Sequence, residues 1–421
     1  MSKRSRKHKW DVDQCPVLKD HSKAKHAILS EYIQKYLTIV CQSRKIQQYN
    51  ITLVDGFAGG DIYQEDKKGS PSVMIDAVSE AIDNINRERT PSVEIDPHYF
   101  FIEKDKRNYS RLENVIKDIE LDNDRIILKN GDFNSYINEI VEHIKKRNKN
   151  GGGGSIFFLD QDGYSSVSVE TLNFIRKELP KAEIIININV SWLIDFISDL
   201  NQLKNTVSKM GITKFIDLNE IIDLKANIGE HRYIIEAKLS TALQQAADFP
   251  YFRPFFIEPH DNHRGYWLLH LAPHYRAHNA MSEVIWDQGN YMRHYGGDGA
   301  RIFDLSYKGG IIDIPDIFGN TFNGTAREKH INGLIRDLPR IIWERELFSF
   351  SELIEHTCNN TAASKDMYSQ SLLEAKRLGE ILIRGKAGGK KKSDIIMPSD
   401  IIIPNRQRCL FDMKPRTGTS K

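Results

Sequence analysis

Apolar and polar positions along the chain fall into a regular succession of helical and strand-like segments. A helix is predicted at about 22–43, because apolar side chains recur there at helical spacing: Ala24, Ile28, Tyr32, Ile33, Tyr36, Leu37 and Val40. Short apolar runs follow within 51–60, 98–105, 125–132, 155–164 and 183–190. Such runs, separated by helical segments, predict β-α-β units and therefore an α/β fold with a mostly parallel sheet.

The first four predicted strands each end in an acidic residue. These residues are Asp55, Glu103, Asp132 and Asp160. Taken singly, such a carboxylate more often caps a helix or lies in a solvated turn. Four of them in strand order favour a ligand site, because ligands of open α/β sheets bind beyond the carboxyl ends of the strands.

The first of these acids opens a glycine-rich turn, Asp55-Gly56-Phe57-Ala58-Gly59-Gly60. Glycines allow the backbone to approach a ligand closely. Their spacing here matches neither the Gly-x-Gly-x-x-Gly fingerprint of dinucleotide sites nor the Gly-x-x-x-x-Gly-Lys-Ser/Thr loop that cradles phosphates. An acidic, glycine-rich turn suits S-adenosylmethionine, which has a cationic amino-acid end and no phosphate. An ordinary tight turn is the alternative.

Composition places the chain among ordinary globular proteins. Its 421 residues are 40% hydrophobic and 28% charged, with a net charge of +2. No apolar run of ~18 residues occurs, and the basic start has no apolar segment behind it, so neither a transmembrane helix nor a secretory signal is expected. The four cysteines match no metal or disulfide pattern, which favours a reducing, cytoplasmic compartment without a metal site.

With these features the sequence resembles the class I methyltransferases, and more narrowly the three-Cys-motif partner proteins of bacteria. The matching positions span roughly residues 10–300: Trp10, His21-Ser22-Lys23-Ala24-Lys25, the turn at 55–60, Gly69-Ser70-Pro71, Glu103, Asp160, Gly163-Tyr164, His270, His274, Met281 and Trp286. Several of them also resemble the ribosomal-RNA adenine methyltransferases that carry Gly-Ser-Pro after the first motif. The family name refers to a cysteine motif in a neighbouring protein, so the resemblance implies such a protein as a partner.

The resemblance also implies a role for each motif. The methionine end of S-adenosylmethionine would be bound by Asp55, Gly56, Phe57, Ala58 and Gly59, its ribose by Glu103 and its adenine by Asp132, while His21 and Lys25 close over it. Asp160 and Tyr164 would position the amino group that receives the methyl group. Related enzymes carry Asp/Asn-Pro-Pro-Tyr/Phe at this point. This chain has Asp160-Gln161-Asp162-Gly163-Tyr164, which lacks the prolines and is one residue longer.

The chain is predicted to contain three regions. Residues 1–50 hold a basic arm and the N-terminal helix, 51–310 a Rossmann-like class I methyltransferase domain, and 325–421 a small C-terminal domain. A mainly helical insertion is expected at about 200–262, followed by a strand at 265–272 and a helix at about 276–288 that close the sheet. The four glycines at 151–154 are interpreted as a hinge before the fourth strand.

Three helices and a basic hairpin predict a winged-helix-like C-terminal domain. The helices are expected at 327–338, 350–357 and 371–379, and the strands of the wing at 380–384 and 394–398. The loop between these strands carries Lys386, Lys390, Lys391 and Lys392, which are candidates for contacts with nucleic-acid phosphates. The alternatives are a solvated loop, and a domain that packs on the core or mediates oligomerisation.

Two functions remain open on the sequence. The first is an S-adenosylmethionine-dependent methyltransferase that modifies a base amino group of DNA or RNA, with bacterial or phage defence as its setting. The second is a non-catalytic methyltransferase-fold protein that binds nucleic acid and serves a partner enzyme. A nicotinamide-dependent oxidoreductase ranks last, because the dinucleotide fingerprint is missing.

Overall fold

The computed structural model describes residues 15–119, 124–149, 152–161, 163, 166–189, 200–225, 228–257, 266–289, 292–294, 298–300, 320–321, 324–389, 391 and 393–406. The chain divides into two compact units, one formed by Met1–Tyr295 with Asp316–Asn323 and the other by Gly296–Pro315 with Gly324–Lys421. Within the described ranges, no helix has both the length and the apolar character needed to cross a bilayer. The predicted basic arm falls outside these ranges.

The first unit is built on a sheet of nine described strands in the order β3-β2-β1-β4-β5-β7-β6-β8-β9. The strands are β1 (Gln48–Asp55), β2 (Glu94–Glu103), β3 (Ile126–Asn130), β4 (Gly153–Leu159), β5 (Ala182–Ile188), β6 (Tyr251–Ile257), β7 (Tyr266–Ala272), β8 (Met292–His294) and β9 (Asn320–Thr321). The first five are parallel, whereas β7 runs antiparallel to both of its neighbours, β5 and β6. The carboxyl ends of β1, β2, β4 and β5 therefore lie along one edge of the sheet.

Helices follow most of these strands and bury one side against the sheet. They are α1 (Asp20–Val40), α2 (Ser70–Arg87), α3 (Lys106–Lys117), α4 (Phe133–Arg147), α5 (Val169–Glu178), α6 (Leu200–Met210), α7 (Leu218–Lys225), α8 (Ile228–Ala246) and α9 (Tyr275–Gln288). Within the core, Val54, Phe157 and Ile186 of the sheet belong to one cluster with Ile140 of α4 and Leu172 of α5. In the described part of the segment between β5 and β6, the helices are α6, α7 and α8.

Helix α1 is anchored to the sheet by buried tyrosines. The Tyr32 hydroxyl donates a hydrogen bond to the buried carboxylate of Glu183 in β5. Burial raises the pKa of Tyr32, so its hydroxyl stays protonated as the donor. Tyr36 pairs with Tyr49 of β1 at 2.7 Å between the hydroxyl oxygens. These contacts fix the helix so that its first turns lie at the carboxyl edge of the sheet.

The glycines before the fourth strand do not act as a hinge, because Gly153 and Gly154 are buried residues of β4. Their strand register with β1 is set at Asn50 and Ile51. A side chain at Gly154 would collide with the hydroxyl oxygens that join α1 to β1. Glycine is required here by the close approach of α1, rather than by a need for flexibility.

The aromatic segment at 251–257 forms β6, although its sequence was assigned to a helical insertion. Phe252 and Phe255 are buried in the sheet, and Arg253 is fully buried beside His278 of α9, at 2.6 Å between Nη2 and Nε2. Pro254 disrupts the usual strand pattern, since it offers no N–H to a neighbour. The described pairs between β6 and β8 are at positions 256 and 257, after the proline.

The second unit combines three helices with a three-stranded antiparallel sheet. Its elements are α10 (Gly324–Arg345), β10 (Phe348–Ser349), α11 (Phe350–Thr357), α12 (Lys365–Leu378), β11 (Ile381–Arg384) and β12 (Ile401–Pro404), with the strand order β10-β12-β11. The last strand lies at 401–404 and not at the predicted 394–398. Ile395 and Met397 of the predicted strand are exposed, whereas Ile402 is buried and pairs with both other strands.

Candidate functional site

The carboxyl end of β1 places a buried acid at the start of the glycine-rich turn. Asp55 is fully buried, and its Oδ1 accepts the N–H of Phe57 at 3.0 Å. Its Oδ2 makes no hydrogen bond of ordinary geometry with the described residues. Burial raises the pKa of Asp55 to about 7, although the nearby Ser70 hydroxyl and the Phe57 amide favour the ionised form. Near neutral pH, the Asp55 carboxyl group can therefore be either protonated or ionised.

The turn after Asp55 is held by backbone hydrogen bonds to the neighbouring strands. The N–H of Gly56 donates to the carbonyl of Phe158 at 3.0 Å, and the N–H of Ala58 to that of Ile102 at 2.9 Å. A Cβ at Gly56 would lie 2.8 Å from Leu159 Cδ2. The turn is therefore packed tightly between β2 and β4, and glycine is needed for that approach.

Glu103, at the end of β2, ties the turn to the adjacent strand. Its Oε2 accepts the N–H of Gly59 at 2.8 Å, and its Oε1 accepts the N–H of Asp105 at 2.6 Å. Gly59 has a positive φ of 66°, which glycine adopts without strain. Burial raises the pKa of Glu103 against these hydrogen bonds. The Asn108 side chain also contributes a hydrogen bond to Glu103, so of the about four acceptor positions of a carboxylate one remains for a ligand hydroxyl group.

A second buried acid, Asp61, joins the end of the turn to the start of α2. Its Oδ1 accepts the N–H of Ser72 at 3.1 Å, and its Oδ2 accepts the Ser72 hydroxyl. An acid is stabilised there because the first N–H groups of a helix lack partners within the helix and carry partial positive charge. A Cβ on Gly69 would lie 2.6 Å from the carbonyl oxygen of Asp61. The Gly-Ser-Pro motif at 69–71 therefore serves this junction.

We expect Gly69→Ala to distort the turn, because the new methyl group would collide with backbone atoms that cannot rotate away. The unfolding free energy should fall by about 1–3 kcal/mol, as for an overpacked core position, and the affinity for S-adenosylmethionine should fall with it. Urea unfolding and calorimetric titration would measure both. Gly152→Ala is the matched control, since nothing lies within 4 Å of its Cβ position. Equal effects of the two substitutions would show that the close contact between Gly69 and Asp61 does not require glycine.

Asp160 follows β4 and lies between a lysine from α1 and an asparagine from β5. Its Oδ2 forms an ion pair with Lys25 Nζ, and its Oδ1 accepts a hydrogen bond from Asn187 Nδ2 at 2.8 Å. The side chains of Lys25 and Asp160 are 5% and 24% exposed. Burial acts to raise the pKa of Asp160, but the Lys25 ammonium and the two hydrogen bonds outweigh it and lower the pKa. Asp160 is thus an ionised acceptor.

The loop after Asp160 is organised by Gln161, which occupies a position where the amino-group methyltransferases that the sequence resembles have proline. Gln161 is buried, and its Oε1 accepts the N–H groups of Ser166 at 2.8 Å and Val167 at 3.1 Å. The Gly163 carbonyl accepts the N–H of Asn189 at 3.0 Å. A side-chain amide therefore closes the loop that proline stiffens elsewhere. Tyr164, the predicted stacking residue, lies outside the described residues.

Two histidines of α1 lie beside the Lys25–Asp160 pair. His21 stacks on Tyr266 with ring centroids 4.8 Å apart, and Lys25 Nζ lies 5.9 Å from the centroid of the same ring. His26 is buried, and its Nδ1 has no hydrogen-bond partner among the described residues. Burial, aided by Lys25, lowers the pKa of His26 to about 4, so the ring is neutral. Of the two residues predicted to close over the cofactor, Lys25 therefore pairs with Asp160, and His21 stacks on Tyr266 of β7.

Asp132, the residue predicted to contact adenine, caps helix α4. Its Oδ1 accepts the N–H of Asn134 at 3.1 Å, and Lys104 Nζ lies 3.1 Å from its Oδ2. The hydrogen bonds and charge of these partners lower its pKa, although burial acts in the opposite direction. Its role in binding adenine remains a prediction, because a helix cap alone accounts for its position.

Sequence reasoning missed three site residues that the fold brings to this edge. Asn187 is a buried polar residue in a strand that is otherwise almost entirely apolar, which was the available signal. Asp61 follows the glycine-rich turn, but its partner Ser72 lies 11 positions further along the chain. Gln161 follows Asp160, but its partner Ser166 lies in a loop for which the sequence predicts no element. Across the described residues, no group of three or more histidine, cysteine or acidic side chains is arranged to hold a metal ion.

Comparison with known proteins identifies no family for this chain, so its fold class and function are inferred from the fold and the site. No protein-family model matches the chain, and no curated protein matches it at a significant level. Among solved structures, protein LPL1258 from Legionella pneumophila str. Philadelphia 1, of the DUF519 family, aligns with 61% of this chain and 87% of its own at 12% identity and a TM-score of 0.34.

Two further solved structures align over similar lengths. The plantazolicin methyltransferase BamL, in complex with a triazolic desmethylPZN analogue and SAH, aligns with 59% of this chain and 86% of its own at 9% identity and a TM-score of 0.23. PKMT2 from Rickettsia typhi aligns with 53% of this chain and 43% of its own at 12% identity and a TM-score of 0.24. At such scores these likenesses carry no argument.

The sheet itself assigns the fold class. The order β3-β2-β1-β4-β5-β7-β6, with β7 reversed between β5 and β6, is the Rossmann-like sheet of class I methyltransferases. The fold class predicted for the first unit is thereby confirmed. Membership of the three-Cys-motif partner family stays a prediction.

Proposed function

We propose that the protein is an S-adenosylmethionine-dependent methyltransferase that modifies an amino group of a nucleic-acid base. The observation that carries the proposal is the buried group formed by Asp160, Lys25 and Asn187 at the carboxyl edge of the sheet. Class I sheets bind ligands at this edge. An ionised, largely buried carboxylate there is suited to accept a hydrogen bond from an amine.

The residues of the turn fit the cofactor. Asp55 offers a buried carboxylate oxygen, Oδ2, that lacks an ordinary hydrogen bond within the described residues, and a cationic amino-acid end would pair with it. Glu103 keeps one acceptor position for a ribose hydroxyl group beside its hydrogen bonds to Gly59, Asp105 and Asn108. When bound, S-adenosylmethionine supplies an electrophilic methyl group.

The chain itself contributes positioning and charge to the reaction. Asp160 orients the acceptor amine by accepting one of its N–H groups, and Lys25 keeps Asp160 ionised. The buried surroundings of Asp160 strengthen this hydrogen bond, because the local dielectric constant is lower than that of water. Most of the rate gain would come from alignment of the amine with the methyl group, which needs no metal.

A transfer assay tests the proposal directly. The purified protein would be incubated with a radiolabelled methyl donor and separate pools of DNA, ribosomal RNA, transfer RNA and protein. Label in one nucleic-acid pool is the expected result, and label in protein alone or in no pool would overturn the proposal. The three-Cys-motif protein implied by the resemblance stays a prediction, and a repeat in its presence belongs to the same experiment.

One observation favours the non-catalytic alternative. Lys25 already pairs with Asp160, so that an acceptor amine must share or displace an ammonium group. A protein that had lost the reaction would keep such a pair for stability. Isothermal titration separates the two functions, because a non-catalytic protein need not bind S-adenosylmethionine, whereas the enzyme must bind it at micromolar concentration.

We propose further that the second unit is a winged-helix domain that contacts nucleic acid. Its described elements run helix, strand, helix, helix, strand, strand, which is the order of a winged helix. In the loop between β11 and β12, Lys386 is exposed and its charge is free to meet phosphates. Lys391 is different, because it forms an ion pair with Asp400 in which the two side chains are 9% and 7% exposed. Lys390 and Lys392 lie outside the described residues.

We expect Lys386→Glu to weaken nucleic-acid binding about equally for all sequences. A lysine that contacts phosphate releases about one counter-ion on binding, so the slope of log affinity against log salt should fall by about 1. Fluorescence anisotropy with a labelled oligonucleotide at several salt concentrations would measure this slope.

Two variants control the Lys386 experiment. Lys45→Glu changes an exposed lysine of the first unit by the same charge, and it should leave the slope unchanged if the second unit carries the contact. Lys391→Ala should instead lower the stability of the second unit, because Asp400 is buried and would lose its counter-ion. A slope unchanged by Lys386→Glu would remove this lysine from the interface.

A further inference from the structure

The side-chain amide of Asn187 forms a hydrogen bond through its nitrogen but not through its oxygen within the described residues. Its Nδ2 donates to Asp160 Oδ1 at 2.8 Å. A carboxylate accepts hydrogen bonds and does not donate them, so the amide nitrogen has to face Asp160. The amide oxygen, Oδ1, is then directed elsewhere, and it is buried without a hydrogen-bond partner among the described residues.

A buried amide oxygen without a donor is costly. Leaving such an acceptor unpaired typically costs about 1–3 kcal/mol. Asn187 is 3% exposed and stands near the carboxyl end of β5, beside Asp160. An apolar residue there would avoid the cost and would continue the apolar pattern of the strand. The asparagine is explained if its oxygen accepts a hydrogen bond from a ligand.

We infer that Asn187 is a second anchor for the acceptor, and that the oxygens of Asp160 and Asn187 together select a primary amino group with two N–H bonds. This inference rests on the proposed function. The exocyclic amino groups of adenine and cytosine are of this class. Asp160 accepts one N–H, and Asn187 Oδ1 accepts the other, which fixes the plane of the amine.

The two anchors also determine how many methyl groups are added. In the transfer, an N–C bond forms as the S–CH3 bond breaks, and the amine nitrogen releases one proton to the solvent. The donor sulfur keeps the bonding pair and becomes a neutral thioether. The product nitrogen therefore has a single N–H. If it rebound, one of the two buried oxygens would face a methyl group and would remain unpaired. The wild-type protein should accordingly stop after one methyl group.

The inference is tested by product analysis and by binding. Wild-type protein and Asn187→Ala would be given oligonucleotides that contain either the unmodified base or its N-methylated form. Mass spectrometry should show one methyl group per base for the wild-type protein and a second methyl group for Asn187→Ala. In calorimetry with S-adenosylhomocysteine present, the wild-type protein should prefer the unmodified base by about tenfold, which corresponds to one unpaired buried acceptor. The variant should lose most of this preference.

Asn50→Ala is the matched control, because Asn50 is a strand asparagine near the opposite edge of the sheet, where its Nδ2 donates to the Arg147 carbonyl. It should keep the wild-type product and preference. An Asn187→Ala variant that behaves like this control while the wild-type protein transfers methyl groups would overturn the role of Asn187 alone. A wild-type protein that neither binds nor methylates any of the oligonucleotides would overturn the proposed function and this inference together.

Discussion

Asp160→Ala should abolish methyl transfer and destabilise the protein while leaving the affinity for S-adenosylmethionine within about twofold. Transfer is lost because the acceptor amine no longer has its ionised anchor. Stability falls because Lys25, whose side chain is 5% exposed, would remain buried without its counter-ion. Removal of one member of a buried ion pair costs about 3–5 kcal/mol. Urea unfolding, calorimetric titration and the transfer assay would measure the three effects.

Three further variants separate the structural effect from the catalytic one. Asp160→Asn keeps the shape of the side chain and one acceptor oxygen, as in the Asn form of the motif, so it should retain part of the transfer activity with a smaller loss of stability than Asp160→Ala. Lys25→Met combined with Asp160→Ala should recover part of the lost stability, because no unpaired charge remains buried. Lys23→Met is the control on the same helix, since Lys23 forms an exposed pair with Asp20 that should contribute less than about 1 kcal/mol. Full transfer activity in Asp160→Ala, which has no side-chain acceptor, would show that Asp160 is not the anchor.

The sequence is most informative where a strand is buried and continuous. β4 and β5 are buried along their whole length and β1 from Ile51 onward, and these buried runs pair as parallel neighbours in the sheet. β6 was missed because Pro254 and the aromatic residues around it do not resemble a strand with an alternating pattern. The pairing of β6 with β7 along its whole length can only be known from the folded structure.

Prediction of the site was limited because contacts between residues far apart in sequence decide what each acidic side chain binds. The acids at the ends of β1, β2 and β4 could be located from the sequence, since the topology of a parallel sheet brings strand ends together. Asp132 had the same signature, but it caps α4. A carboxylate at a strand end binds a ligand or caps a helix according to which N–H groups lie close to it in the folded structure. The pairing of Lys25 with Asp160 joins residues 135 positions apart, and no local pattern encodes it.

The wild-type protein should bind S-adenosylmethionine more tightly as the pH rises through about 7, and Asp55→Asn should bind it weakly at every pH. The pKa of Asp55 is raised from 3.8 to about 7, chiefly by burial. The carboxyl group is therefore largely protonated below pH 7 and can pair with a cationic ligand only above it. Calorimetric titration across this range would give the dependence. A binding constant of the wild-type protein that does not change with pH would contradict the role of Asp55.

Folding stability should show the opposite dependence on pH for the same residue. The folded state holds the Asp55 proton more tightly than the unfolded state, so this group stabilises the fold fully below pH 3.8, and the contribution is lost as the pH rises through about 7. The difference between the two pKa values corresponds to roughly 4 kcal/mol at most. Asp55→Asn removes the ionisation, so its unfolding free energy should rise relative to wild type between about pH 4 and about pH 7. Asp76→Asn, at an exposed acid, should show no such trend, and a parallel pH dependence of wild type and Asp55→Asn would mean that Asp55 is already ionised in the folded protein.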